Sequence, residues 1–576
     1  MLVNALLLLL TEILLILCGL AFLRVLQKGS PDLLPDLASI PLPLIAILGL
    51  IGSTFLTAVL SIFIRINGEV FAGLVALLLG YTILDRTWIR VYLYKLLTFS
   101  WRQNVSSLLL FGLLFALVLA TSADPDRSYD DGLYHIQSVL LITQHQGIPG
   151  LGLLHNRFAY NSIWHISSAL WGYPFLNPAQ QLFFIITPLL MLNFTAFLLG
   201  GLKKEKRWPL QGISLLLLAI STAYMVYYRF DFGAVDNNLP SFILVWLIML
   251  IFIRTMFQPA KATSDVQNTL LILLMVIFAW MVKISTLMLM VPAGYLFLTL
   301  WKNQRAEMLK IFALSFVLLL PWVARSLLTS GFFIYPPLTP WFGLPFKWQM
   351  PFAMARENAL VDISWAKIPG ASAQAVSELS LTEWLPQWFQ SLDRNEILLI
   401  GAAILALTLF AFSLICNLKK LGLQAILPQS LLLLGWMLAS LVFWFFSYPD
   451  PRFLYGPAMP IVASLFLSLS FWLPEPKQTT SPALMHGGIL FTTLLLALLF
   501  VRLNILSEID YSNIQLQPAP LPQVEVRQVP MNGFNLTLPV SGDQCWGSAV
   551  PCIPDKCSKA VHLLGKTVWD GFIFKK

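Results

Sequence analysis

Apolar runs of roughly 17 to 22 residues recur along most of this chain, the length an α-helix needs to cross the hydrocarbon core of a bilayer. Inside a bilayer every backbone N–H and C=O must be satisfied within its own segment, so runs of this kind specify helices. Composition points the same way: 58% of the 576 residues are hydrophobic and 11% are charged, and the mean hydropathy is +0.77. The chain reads as an all-α polytopic membrane protein of about 14 transmembrane helices. Their expected cores are residues 2–23, 43–64, 69–84, 104–121, 179–199, 210–228, 239–256, 269–282, 285–300, 309–328, 396–416, 428–446, 453–473 and 485–506. The first run, LVNALLLLLTEILLILCGLAFL, has neither a basic leading region nor a small-residue cleavage site, so it is expected to be a retained helix and not a removable signal peptide.

A net charge of +8 would suggest nucleic acid in a soluble protein. Here most of the basic residues stand in short loops between apolar runs and report topology instead. Arg86, Arg90, Lys95 and Arg102 share one loop, Lys203, Lys204, Lys206 and Arg207 another, with Lys302, Arg305, Lys310, Lys419 and Lys420 in two more. All fall on one side of a fourteen-helix bundle, which the positive-inside rule makes cytoplasmic. Asp124, Asp126, Asp130, Asp131, Asp231, Asp236, Asp362, Asp393 and Asp450 then face the opposite, extracytoplasmic side. No nucleic-acid partner is expected.

Three outward segments are long. Residues 122–178 hold IQSVLLITQHQ and SIWHISSALW, which have helical spacing but are too short to span and are expected to lie in the membrane interface. Residues 329–395 are rich in Pro and Trp, and residues 507–576 include VEVRQV and FNLTLPV, whose alternation suggests short strands. The division expected is additional helices over 1–103, a membrane core over 104–506 and a Cys-containing extracytoplasmic tail over 507–576.

Cys18 and Cys416 lie in apolar runs and read as small buried side chains. Cys545, Cys552 and Cys557 cluster in the tail, where one disulfide would leave one thiol over. Zinc is the weaker reading, since His562 is the nearest further ligand.

The stretch SADPDRSYDDGLYH places Asp130 and Asp131 side by side beyond an apolar run, flanked by Tyr129, Gly132, Tyr134 and His135. Acids at a helix mouth are commonly solvated loop charges. A carboxylate held partly out of water gains basicity, however, and can take a proton from a hydroxyl. Asp231 and Asp236 stand at another helix mouth, where Asp236 or Asn237 could simply cap the next helix. Lys283, Arg325 and Arg452 are cations at the same face, suited to phosphate, although each alone could be a snorkelling interfacial side chain. Tyr335, Trp341 and Trp348 could stack on sugar rings or serve as interface aromatics, and His155, Arg157, Tyr160 and Asn161 could shape an acceptor side.

An outer loop with paired acids, an aromatic and a His, followed by short apolar helices, resembles the GT-C class of integral-membrane glycosyltransferases. More narrowly, YDDGLYHIQ followed by GIPGLGLLHNRFAYNSIW, with a tail piece QCWGSAVPC, is similar to a group of bacterial GT-C-like membrane proteins. The likeness runs from about residue 104, leaving residues 1–103 as three helices outside that core. It implies transfer of a hexosyl or pentosyl group from a polyprenyl-phosphate carrier to a glycan, lipid or protein acceptor, with inversion, on the outer face of a bacterial cytoplasmic membrane. The first-loop acid in that class is a base or metal ligand. Asp130 matches that position best, with Asp131 and Asp236 as helpers, and His135, Arg157, Lys283, Arg325, Tyr335 and Arg452 as binding residues. A divalent cation is compatible with the class but not required, as no tight ligand set is visible. Two rivals remain: a transporter or flippase of lipid-linked glycan, and an inactive scaffold with the same fold. Transporters place ionisable groups near the bilayer midplane, whereas here nearly all stand at helix mouths, with Glu12 as an exception.

No phosphate-binding Gly-rich loop ending in Lys-Ser or Lys-Thr appears, which argues against an ATP-driven pump.

Overall fold

The computed structural model describes residues 1–97, 104–124, 128–176, 182–257, 262–421, 427–473, 482–502, 516, 518–555 and 557–575. Arg102, Asp126 and the stretch of the last expected span beyond Arg502 lie outside the described residues, as do the side chains of Lys95, Lys203, Lys419 and Lys420. The helices in chain order are α1 (Leu2–Gly29), α2 (Leu42–Phe63), α3 (Gly68–Leu84), α4 (Arg86–Leu97), α5 (Val105–Ala123), α6 (Ile136–Gln144), α7 (Leu151–Leu154), α8 (Ile163–Trp171), α9 (Ile186–Lys204), α10 (Trp208–Tyr227) and α11 (Asn238–Phe257). They continue with α12 (Ala262–Val282), α13 (Met290–Trp301), α14 (Arg305–Ser330), α15 (Phe352–Lys367), α16 (Ala373–Ser377), α17 (Leu381–Ser391), α18 (Arg394–Leu421), α19 (Leu427–Ser447), α20 (Tyr455–Ala463), α21 (Leu465–Ser470) and α22 (Pro482–Arg502). Four strands follow in the tail: β1 (Val526–Met531), β2 (Phe534–Pro539), β3 (Val561–Leu563) and β4 (Phe572–Phe574).

Eleven helical stretches among the described residues are long and apolar enough to cross a membrane, which makes this a mostly helical, multi-pass membrane protein. Shorter apolar stretches at Gly68–Leu84, Ile186–Leu202 and His486–Leu499 stand where three more spans were expected. The fifth expected core began at 179, but the helix starts at Ile186 and residues 182–185 are irregular.

Sequence sets which helices are central. The α11 run FILVWLIMLIF is apolar on every side, so it is surrounded by protein, with 89% of its span buried. By contrast only 28% of the α18 span is buried, and its remaining face is turned away from the bundle. α1 and α2 lie unusually close because glycines face backbone: a Cβ on Gly19 would run into the Ile45 carbonyl, and one on Gly49 into that of Leu15. α14 carries Pro321 in its interior and stops at Gly331, whose φ of +81° a side chain would strain.

The two short helices of the first long loop differ from expectation. α8 is buried along its whole length and packs on α2 and α6, where Thr54 Oγ1 and Ser167 Oγ hydrogen-bond at 2.8 Å. Most of α6 is buried as well. Both helices are enclosed by protein on nearly every side, polar residues included, so neither presents an open apolar face to an interface.

The tail is not a free appendage. β1 and β2 form a hairpin joined by Asn532 and Gly533, both at positive φ (42° and 87°), the backbone that an Asn-Gly two-residue turn provides. Leu536 and Leu538 of β2, together with Ile553 and Phe572, share one apolar core with Leu141, Leu153, Phe158 and Phe332.

Candidate functional site

The ends of α5, α12, α14 and α19 and the starts of α11 and α20 gather at one end of the bundle, where the chain brings its acids together. After α5, residues Asp131–His135 form a π-helical turn that leads into α6. The wide turn places Asp131 inward. It is only 1% exposed, with Oδ1 2.8 Å from His135 Nδ1 and Oδ2 accepting from the Val235 N–H at 2.9 Å. Burial pushes the Asp131 carboxyl up. Burial also opposes a charge on His135, but the hydrogen bond and charge of Asp131 outweigh it and raise the imidazole above its usual 6.5. Two buried titratable groups are thus joined by one hydrogen bond.

Asp130 points the other way. A third of its side chain is exposed (35%), and Oδ1 accepts from Arg157 Nη1 at 2.9 Å. Arg157 lies over the Tyr134 ring and stands 3.9 Å from Asp362 on α15. Asp362 accepts from the Tyr160 hydroxyl, and Asn358 Nδ2 donates to Tyr160 at 3.0 Å while standing 3.5 Å from the Tyr335 hydroxyl. Burial raises the Asp362 carboxyl, against the pull of Tyr160 and Arg157.

A second group adjoins the first. Asp236 caps the start of α11, accepting from the Asn238 N–H at 3.0 Å, and Asn238 in turn accepts from Lys283. Lys283 lies over the Phe453 ring at 3.9 Å, and Arg452 lies over the same ring at 5.8 Å. Arg452 also donates twice to Asp450 Oδ2, from Nε at 2.9 Å and from Nη2 at 2.7 Å. The two groups feel one another: Lys283 is within electrostatic reach of Asp236, Asp450 and Asp130, and Arg452 of Asp130 and Asp236. Asp130, Asp131, Asp236, His135, Arg157, Lys283, Tyr335 and Arg452, far apart in sequence, thus form one polar cluster.

Arg325 is the exception. Its Nη1 donates to Ser61 of α2, at 2.9 Å from the hydroxyl, and it faces away from the carboxylates. Trp341 is 90% exposed, and Trp348 stacks on Phe346 while donating to the Leu327 carbonyl, so neither aromatic joins the cluster. Asn161 is engaged with Trp322 through both donor and acceptor. His155 packs on Phe158, away from the acids. Asp362 and Asn358 were not expected in a site. Their spacing of four residues on one helix places both on one face, and this was the available signal.

The tail closes over the acidic turn. The N–H groups of Cys545 and Trp546 donate to the Gly132 carbonyl at 2.7 and 3.0 Å. Gln137 spans the same loop, donating to the Trp546 and Ser548 carbonyls and accepting from the Cys552 N–H at 2.9 Å. Cys545 and Cys552 form a disulfide, leaving Cys557 free. Gly132 must lack a side chain here, because a Cβ would stand 2.6 Å from the Trp546 ring. Among the described residues no group of three or more His, Cys, Asp or Glu side chains is arranged to hold a metal ion.

The histidines predict a bell-shaped stability profile. The raised His135 contributes stability that is full below pH 6.5 and is lost as pH climbs through its folded value. His155, lowered to about 3 by burial and then by Arg157, and His165, lowered by burial, His135 and Arg325, act oppositely, with stability lost as pH falls below 6.5. The thermal unfolding midpoint of the purified protein is expected to decline on both sides of this value, and His135→Gln should flatten the alkaline limb and, through His165, ease the acid limb.

Fold and site together define a class: a helical, multi-pass membrane protein with a buried Asp–His pair and a mixed-charge polar cluster at one end of its bundle. Residues 1–459 match the family described as "Domain of unknown function (DUF8201)", and the chain belongs to that family. No curated protein and no solved structure matches the chain. The tail that closes over Gly132 lies beyond the matched residues.

Proposed function

We propose that this protein is a glycosyltransferase that moves a sugar from a polyprenyl-phosphate carrier to an acceptor hydroxyl. The observation that carries the reading is the meeting of Asp130 and Arg157 with Lys283 and Arg452, an acceptor-activating acid beside cations suited to phosphate. In the finer form of the proposal the bundle has fourteen crossings in a bacterial cytoplasmic membrane. The basic loops face the cytoplasm and the polar cluster faces outward.

Asp130, held by Arg157 yet partly open, takes the proton of the acceptor hydroxyl. The acceptor oxygen forms the new bond to the anomeric carbon as the bond from that carbon to the phosphate oxygen breaks. The electron pair leaves on polyprenyl phosphate, and Lys283 with the outer edge of Arg452 faces the charge that develops there. Attack opposite the leaving group inverts the anomeric carbon. Asp131 does not touch substrate in this scheme; with His135 and Val235 it fixes the turn that aims Asp130. Tyr134 and Tyr160 offer aromatic surface for a sugar ring, with Tyr335 packed behind Tyr160.

Mass spectrometry of envelope glycans from a deletion strain tests the reading. Loss of one sugar residue, restored by the wild-type gene, is expected. Accumulation of a complete lipid-linked glycan with no missing sugar would instead favour the transporter reading.

A further inference from the structure

The cation left out of the polar cluster has its own surroundings. Arg325 lines a cavity of about 40 Å³ together with Ser138, Asn161, His165 and Thr329, and Gln146 stands exposed at its rim. Arg325 is 8% exposed and His165 3%. Two of their ring and guanidinium nitrogens, Arg325 Nε and His165 Nε2, are buried with no hydrogen-bond partner. Arg325 forms no ion pair among the described residues; Ser61 is the group its Nη1 reaches.

A buried guanidinium without a counter-charge is costly, as is a buried unsatisfied donor, and one anion accepting from both nitrogens would relieve both costs. Each buried water needs on the order of 10–15 Å³, so the space suits a group of a few oxygens and not a whole sugar. The cavity lies beside the last turns of α14, whose Arg325 reaches Ser61 in the last turn of α2, and the ends of apolar spans are where headgroup phosphates stand. Burial keeps His165 neutral, so it can donate one hydrogen bond while Arg325 supplies the charge.

We propose that Arg325 and His165 form an oxyanion site adjoining the polar cluster, next to Tyr160 and His135, that binds a phosphate group, from a phospholipid headgroup or as free phosphate. The site does not rest on the sugar-transfer reading. Its test uses the full chain purified in a phosphate-free detergent. One arm measures equilibrium binding of radiolabelled inorganic phosphate. The other counts, by native mass spectrometry, phosphatidylglycerol retained after delipidation, against diacylglycerol with the same chains. Saturable binding of phosphate, or retention of phosphatidylglycerol but not diacylglycerol, is expected. Arg325→Gln should weaken it at least tenfold and Arg325→Lys less, while Asp130→Asn leaves it unchanged. His165→Gln, which keeps the charge and changes one donor, gives a second reading should Arg325→Gln fail to fold. Binding of neither probe by the folded wild type, or binding indifferent to both Arg325 and His165, overturns the site. A loss of sugar transfer in Asp130→Asn with phosphate binding intact separates the two proposals.

Discussion

Asp130→Asn is expected to lower sugar transfer by about 100- to 10,000-fold, the range over which a positioned general base acts, while membrane insertion and thermal stability stay as in the wild type. The amide keeps the size of the carboxylate and can still accept from Arg157 Nη1, so the local geometry survives. What it loses is the ability to take a proton. Asp130 is the carboxylate of the adjacent pair that remains partly open, and an exposed loop charge with no role would tolerate the change within experimental error. Transfer of a labelled sugar in isolated membranes, with protein abundance measured in parallel, reads the effect. Undiminished transfer in Asp130→Asn and in the Asp130 and Asp131 double variant would remove the enzymatic reading.

Asp131→Ala should do the reverse, acting first on the fold. Both oxygens of Asp131 are engaged inside the protein, one by His135 and one by the Val235 N–H. Removing one partner of a buried charged pair typically costs about 3–5 kcal/mol. The turn that carries Gly132 would loosen with it, and with that turn the docking of Cys545 and Trp546. A lowered unfolding midpoint, and faster amide exchange over residues 131–137 and 545–552 together, are expected. The Asp131→Asn variant keeps an acceptor for Val235 and should lose less. A midpoint unchanged in Asp131→Ala would mean that the buried pair does not hold this turn.

The contrast between adjacent aspartates marks how far the sequence could be read. Spans were legible because a crossing helix needs a long apolar run, and α11 and α18 announce themselves equally well in hydropathy. Their different burial was less legible, since lipid and protein interior are both apolar. The loop YDDGLYH was visible as a site because acids there are out of character with the chain, yet nothing in one dimension tells which acid turns inward. That depends on the π-helical turn, whose extra residue shifts the faces of successive side chains. α6 and α8 were misplaced because their length excludes a crossing without saying whether they lie on the protein or within it. Arg325 was grouped with Lys283 and Arg452 by depth alone. Depth does not give direction around a helix, and α14 turns Arg325 toward Ser61 of α2. β1 and β2 were legible from alternation, whereas the docking of the tail on Gly132 joins residues more than 400 positions apart and leaves no local trace.

The central claim is that the polar cluster receives a lipid phosphate and an acceptor at one place. A structure of the protein with bound polyprenyl phosphate tests it most directly. Phosphate density is expected within hydrogen-bonding distance of Lys283, beside Arg452, with Asp130 open to the space in front of it. Lipid phosphate bound elsewhere, with Lys283 still held by Asn238 and no ligand near Asp130, would contradict it.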